Sequence, residues 1–285
     1  MSCSISSISQ VEIDQFKNEG WVLLKNLIPQ KAIQEMRDLY ASVSDDLVDR
    51  AFSEGVTKER FENVPFEKKM AQLPHDFMKI HGRSWRGVVA KAPVFRLQAC
   101  EPLVEVMKEL MGEELAGSEV FNARPKLPNQ ELTVVPWHQD AGYYGPLSVE
   151  NEAYTTWIPL VPVSKENGCM QVIPGSDQRG YRSHANGVGE GEFKEIDDDI
   201  IKEEEIVTCD MEPGDVLIFN QLVYHRSLPN TTDGIRWSID LRYYRLGYPP
   251  IQNRQAEENP WVVSSSKRPA TTLEEWEAIV KEFSW

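Results

Sequence analysis

Apolar residues recur with two different periods along this chain, and the change falls near residue 115. Before it the spacing is helical. Residues 9–19 (SQVEIDQFKNE) predict a short helix ended by Gly20, and WVLLKNLI (21–28) reads as a buried strand. A helix over about 30–47 follows Pro29, with Ile33, Met36, Tyr40, Val43 and Leu47 on one face. The polar, mixed stretch 50–90 gives no assignment. Helices are predicted again over about 92–99 and 102–112; Met107 and Met111 in the second read as core. After 115 come short β-type runs: SEVFNARP, ELTVVPWHQ, AYTTWIPLVPV, CMQVIPG, EEIVTCDM, GDVLIFNQLVYH and IRWSIDLRYYRL. Turn signals separate them, among them Glu166-Asn167-Gly168, Pro174-Gly175-Ser176 and Pro213-Gly214-Asp215. Short strands at this spacing predict a β-barrel or sandwich. A Gly-rich, acidic insertion at about 176–204 interrupts the pattern. A final helix is predicted over about 272–283, with Thr272 as N-cap.

No internal repeat and no linker composition divides the 285 residues, so residues 1–285 read as one domain. A helical part occupies about 1–115, a β core about 116–250, and the last helix closes the chain. No apolar run reaches the roughly 18–20 residues that span a bilayer. The opening MSCSISSISQ lacks a secretory signal, and the closing EFSW is neither a prenylation box nor a peroxisomal tripeptide. Cys3, Cys100, Cys169 and Cys209 lie far apart without a CxxC pair, which predicts reduced thiols and a cytoplasmic location and excludes a zinc ribbon. The formal net charge of −15 argues against nucleic-acid or anionic-membrane partners. Residues 186–215 hold twelve Asp or Glu against two Lys, so most of that charge is local; the run 195–205 reads as a solvated face. A basic pocket for a small anion remains compatible with the rest.

The sharpest chemical feature is Trp137-His138-Gln139-Asp140. On a strand, residues two apart share a face, so His138 and Asp140 would project an imidazole and a carboxylate side by side. His225, in VYHRS, supplies a second imidazole from a later strand. Two His and one carboxylate with open positions form the facial triad of non-haem Fe(II) oxygenases. An HxD alone is weak evidence, and chance pairs are common. Eleven residues after His225 stands Arg236, alternating with Ile235, Trp237, Ile239 and Leu241. A barrel-lining Arg needs an anion, since an unpaired buried charge is costly, and its fork suits a carboxylate. Taken alone, Arg236 is better explained by a structural salt bridge, which is common. Asn122, Arg124 and Lys126 alternate ahead of the motif and face either a ligand or solvent.

Taken together, these residues resemble the phytanoyl-CoA dioxygenase family of Fe(II)/2-oxoglutarate-dependent oxygenases. The resemblance rests on WHQD (137–140), NGCMQVIPGS (167–176), PGD (213–215) and HRS (225–227), with FKNEGWVLLKNLIPQKAIQEMRDLY similar to the family's start. It covers nearly the whole chain. Asp177 departs from it, standing where the family often has His, at a position that is not a metal ligand. The resemblance implies a mainly β fold with flanking helices, a double-stranded β-helix (jelly roll, cupin-like). It implies iron at His138, Asp140 and His225, and 2-oxoglutarate on Arg236, with Ser227 hydrogen-bonding to it and Trp157 and Asn122 lining the cosubstrate. It implies O₂ as co-reactant, ascorbate as auxiliary reductant, and hydroxylation of a small or medium-sized organic substrate with release of succinate and CO₂, desaturation or ring formation being the alternative fate. Related halogenases lack the carboxylate ligand, so Asp140 argues against halogenation. Tyr144, Arg124, Lys126 and His184 are candidate substrate contacts. The segment 176–194, with Gly180, Gly187, Gly189 and Gly191, is a candidate lid together with 141–150. The competing reading is a cupin-like metal-binding protein, or a family member without oxygenase activity. The oligomeric state is not legible.

Overall fold

Local signals place the first elements. Ser9 caps a helix over Gln10–Glu19 through a reciprocal capping box with Glu12, and Gly20 closes it in the left-handed region at φ 77°. Strand β1 (Trp21–Leu24) follows, then a helix over Gln30–Ser53 that runs past the predicted residue 47. The computed structural model describes residues 8–81, 85–187, 191, 193–251 and 258–282; Cys3, Gly189 and the end of the predicted 272–283 helix lie outside these. The unassigned 50–90 stretch holds short helices at Phe66–Lys69, His75–His81 and Arg86–Val89. Ala92–Gln98 and Glu101–Met111 are helical as expected, each opened by a proline in its first turn.

The remaining strands are β2 (Leu115–Gly117), β3 (Asn122–Lys126), β4 (Val135–His138), β5 (Ala153–Pro159), β6 (Met170–Val172), β7 (Ala185–Asn186), β8 (Lys194–Glu195), β9 (Val207–Cys209), β10 (Val216–Asn220), β11 (His225–Ser227), β12 (Arg236–Arg245) and β13 (Trp261–Ser264). Apart from β7 and β8, which make a two-stranded sheet of their own, they form a jelly roll. The larger sheet runs β1-β10-β5-β12-β2-β13, with β3 also on β12, and the smaller runs β4-β11-β6-β9. All pairings within them are antiparallel. Strands β1 and β13 thus enter the sheet from outside the 116–250 stretch. They extend its two ends, where unpaired edges would otherwise be exposed.

Strand β12 is buried on both faces. Trp237, Ile239, Leu241 and Tyr243 pack against the helices, in one core with Ile33, Met36, Tyr40, Leu103 and Met107. Arg236, Ser238, Asp240 and Arg242 point the other way, toward the smaller sheet. In β10, Val216 and Ile218 join the helical core, while Leu217 and Phe219 pack with Met170 and Val172 of the smaller sheet. The predicted single run GDVLIFNQLVYH is therefore two strands in two sheets, joined through Gln221–Tyr224. Thr272 caps the final helix, Leu273–Lys281, by a second capping box, and Trp276 packs on Phe95 and Trp261. The acidic run departs from expectation. Ile196, Ile200, Ile201 and Ile206 pack with Trp137, Ile173 and Tyr224, so the run turns an apolar side inward and exposes Asp197, Asp199, Lys202, Glu203 and Glu204. Among the described residues, no helix is long and apolar enough to cross a membrane.

Candidate metal and cosubstrate site

His138 ends β4 and His225 begins β11, and the two are direct partners across these antiparallel strands. Their rings lie 4.1 Å apart. Each Nδ1 sits by a backbone carbonyl, Pro136 at 2.9 Å and Val223 at 3.0 Å. A carbonyl only accepts, so both Nδ1 atoms carry the proton and both Nε2 lone pairs are free. Asp140 Oδ1 lies 3.8 Å from each Nε2. All three ligand atoms fall within 4.8 Å of one another, and all three residues are buried. One ion can bind all three.

The reason Asp140 arrives there differs from the alternation argument. Strand β4 stops at His138, and Asp140 has helical dihedrals (φ −58°, ψ −33°) at the start of the short helix Ala141–Tyr144. A turn, not the pleat, brings the carboxylate round. Gln139 between them fixes that turn. Its amide reaches the carbonyls of Gly180 and Leu222 at 3.0 and 2.7 Å and accepts from the Arg182 N–H at 2.8 Å.

The second Asp140 oxygen is held by the protein. Thr155 Oγ1 donates to Oδ2 at 2.5 Å, Tyr144 OH lies at 3.5 Å, and an Arg242 amino group at 3.7 Å. Arg242 in turn donates to Asp240 at 2.9 Å, and Asp240 also receives Asn122 and Arg124 at 2.7 and 3.0 Å. Burial alone would push the Asp140 carboxyl up; Arg242, the two imidazoles and the Thr155 hydrogen bond outweigh it and hold it well below the ordinary carboxylate range. Burial, then the neighbouring His225, brings His138 down to about 3, so the ligand imidazole is neutral at physiological pH. Thr155 and Arg242 were not among the predicted site residues. Their signal was the strand period: Thr155 is two residues before Trp157, and Arg242 six after Arg236, each on the same face.

Beyond the triad a narrow slot is lined by Trp157, Phe219, Ser227 and Arg236. Arg236 is buried, donates to the Ser238 hydroxyl, and lies over the Trp157 ring at 5.0 Å. Its Nε and the Ser227 hydroxyl are buried with no hydrogen-bond partner. Among the described residues no carboxylate pairs with Arg236. Burial, then the Arg124 guanidinium, pushes it down to about 9, the direction of a cation without its counterion. The salt bridge that would have explained Arg236 blandly is absent there. A buried guanidinium edge and a hydroxyl without partners in one slot suit a carboxylate.

The slot opens into a larger cavity of about 440 Å³ beside His138 and Asp140. Asn122, Arg124, Lys126 and Tyr144 line it, with Gly191 and Phe193. Asn122 donates to Asp240, which lines the slot. His184 does not line this cavity and belongs to a separate surface cleft with Ser183 and Ala185. Both its ring nitrogens are spent on backbone, Nδ1 donating to Arg182 and Nε2 accepting from the Gln139 N–H. His184, expected as a substrate contact, is thus held against the backbone of Gln139 and Arg182, outside the lining of the cavity beside the triad. Of the 176–194 segment, Gly180 and Arg182 are tied to Gln139, while Gly191 and Phe193 reach the cavity.

A jelly roll carrying two imidazoles, one carboxylate and an unpaired buried arginine defines the non-haem iron, 2-oxo-acid type of site. The chain belongs to the phytanoyl-CoA dioxygenase (PhyH) family, whose sequence model matches residues 16–238. It is 34% identical over 158 residues to a 1-deoxypentalenic acid 11-beta-hydroxylase of Streptomyces arenae, covering 49% of this chain and 52% of that protein. It is 24% identical to human peroxisomal phytanoyl-CoA dioxygenase over 235 residues, 80% of this chain and 66% of that one. The matches thus span about half to two thirds of these relatives' length. In fold it is similar to ThoJ, a non-heme monooxygenase in its apo form, with TM-score 0.61, 20% identity and 94% of each chain covered. EvdO2 of Micromonospora carbonacea var. aurantiaca, complexed with 2-oxoglutarate, gives 0.57 at 18% identity over 84% of this chain and 92% of that one.

Proposed function

We propose that this chain is an Fe(II)- and 2-oxoglutarate-dependent dioxygenase that hydroxylates a small or medium-sized organic molecule, releasing succinate and CO₂. The observation that carries this reading is the pairing of the triad with a buried, anion-less Arg236 at the end of a slot. A metal-storage or cupin-like role leaves Arg236 and Ser227 without a purpose, which disfavours the competing reading. In this proposal His138, Asp140 and His225 hold iron, and Arg236 and Ser227 hold the distal carboxylate of 2-oxoglutarate over Trp157. The bound iron and cosubstrate supply the activation of O₂, with ascorbate as auxiliary reductant. The chain's residues orient the partners and exclude water. The two Nδ1–carbonyl bonds fix both imidazoles, and Thr155 and Arg242 keep Asp140 Oδ2 engaged. Hydroxylation, rather than desaturation or ring closure, is favoured by the relatives named as hydroxylases. Cys100, Cys169 and Cys209 are free, supporting a reducing, cytoplasmic setting. The charge of −15 supports a small-molecule partner over nucleic acid or a membrane surface.

The test is an anaerobic titration of the Fe(II) protein with 2-oxoglutarate, followed by its visible charge-transfer band, and then a substrate screen reading succinate. The Asp140→Ala variant is expected to lose the band and coupled turnover. Arg236→Lys is expected to weaken 2-oxoglutarate binding about tenfold or more, since an ammonium cannot reproduce a bidentate fork. Wild-type affinity in Arg236→Lys would remove the cosubstrate role of that residue.

A further inference from the structure

The charge around the metal cavity does not balance. Among the described residues, four cations, Arg124, Lys126, Arg236 and Arg242, line the cavity and slot, against two carboxylates, Asp140 and Asp240. A divalent metal and a dicarboxylate cosubstrate add equal and opposite charge, so among the described residues an excess of two positive charges survives full loading. The chain as a whole carries −15, which makes a cationic interior a local arrangement. Arg242 is paired between Asp240 and Asp140, and Arg236 faces the slot. The excess falls on β3.

Lys126 is 1% exposed. Its Nζ donates to the Thr133 carbonyl at 2.8 Å, and among the described residues it has no carboxylate partner. Burying an ammonium without an anion is costly, and natural sequences rarely keep such a cation without a use. Lys126 stands opposite Arg236 in the sheet, and Arg124 opposite Ser238, so all three project from neighbouring strands. Lys126 lines the large cavity, which Arg236 and Ser227 also reach, and not the narrow slot over Trp157. Arg124 commits its Nε to Asp240 and remains about a third exposed, leaving the other edge of its guanidinium for a ligand.

We propose that Lys126 and Arg124 bind an anionic, carboxylate-type head group of the substrate, setting its reactive carbon beside the metal triad. This rests on the dioxygenase reading above and names the substrate class for that site. One ammonium with one spare guanidinium edge suits a single planar anion, with the remaining cavity left for a compact, largely apolar body.

The experiment uses the anaerobic Fe(II) protein with saturating 2-oxoglutarate, so that the Arg236 slot is filled. Adamantane-1-carboxylate and the near-isosteric, neutral adamantane-1-carboxamide are titrated by calorimetry. The acid is expected to bind at least tenfold more tightly than the amide. Lys126→Met should abolish that preference and Arg124→Gln should reduce it, while the Kd for 2-oxoglutarate stays within about twofold in both. Equal affinity for acid and amide, or no binding of the acid, overturns the proposal. So does a rise in the Kd for 2-oxoglutarate in Lys126→Met, which assigns the ammonium to the cosubstrate. If 2-oxoglutarate itself fails to bind the wild-type protein, it is the dioxygenase reading that fails, and the calorimetry separates the two.

Discussion

At the scale of single residues, the division of labour within Asp140 decides the site. Oδ1 faces the imidazoles, while Oδ2 is held by Thr155 at 2.5 Å. Partners of this kind set the orientation of a ligand, and removing one costs typically 10–100-fold in metal affinity. Thr155→Val, nearly isosteric, is expected to weaken metal binding by about tenfold, read by competition with a chromogenic chelator; an unchanged affinity would show that Oδ2 needs no donor. Lys126 makes the opposite kind of prediction. Burial, then the charges of Arg236 and Arg124, holds its ammonium well below its ordinary 10.5. In the unfolded chain it binds its proton up to 10.5, so the cost to the ligand-free fold is present at neutral pH and shrinks as pH rises toward that value. Lys126→Met is therefore expected to stabilise the ligand-free protein by about 1–2 kcal/mol at pH 7, with the gap narrowing at alkaline pH. A destabilised variant in urea titrations would mark Lys126 as structural. Of these residues, the HxD pair, His225 and Arg236 were legible in the sequence through their combination with one another and with the segments WHQD, PGD and HRS, since an HxD alone is weak evidence. Thr155 was not, because a threonine in a strand is ordinary.

Among the elements, the informative failure of sequence reasoning is the end of β4. The alternation of WHQD chose the right residues for a reason that does not hold, since the strand stops at His138 and Asp140 begins a helical turn. Strand identity was readable from β-branched and aromatic runs, but where a strand leaves its sheet depends on partners distant in sequence. The same limit hid the break between β10 and β11, and it left β13 unassigned. The turn carrying Asp140 rests on a close approach that no periodicity announces. A Cβ on Gly142 would lie 2.6 Å from the His184 ring, which is pinned through both nitrogens. Gly142→Ala is expected to destabilise by about 1–3 kcal/mol, the usual cost of overpacking. In a His184→Ala background the same change should cost far less, giving a double-mutant coupling of at least about 1 kcal/mol. Additive losses in chemical denaturation would mean the two residues do not meet.

For the whole molecule, the site is what the two sheets share. The triad histidines come from β4 and β11 of the smaller sheet; Arg236 and Arg242 come from β12, and Thr155 and Trp157 from β5, of the larger. The sequence announced a β core between helices, yet not this order of strands, because pairings such as β1 with β10 join residues nearly two hundred positions apart. A consequence follows for stability. Cations and a carboxylate face one another across the interior without their counter-ligands, so metal and dicarboxylate bind groups from both sheets at once, and the folded state alone presents them together. Ligand at about 100 times its Kd adds roughly 2.7 kcal/mol of stability. For a chain of this size that is a rise of about 5–10 °C in Tm. Redox-silent Mn(II) is expected to raise Tm, and 2-oxoglutarate to add a further increment on the Mn(II) protein. His225→Ala should lose the Mn(II) increment, whereas Arg236→Lys should keep it and lose the second. Calorimetric scans of the three proteins, each alone, with Mn(II), and with both ligands, separate these effects. If 2-oxoglutarate adds nothing to Mn(II)-loaded wild type, the slot behind the triad does not bind it, and the joining of the two sheets through a bound dicarboxylate is lost with it.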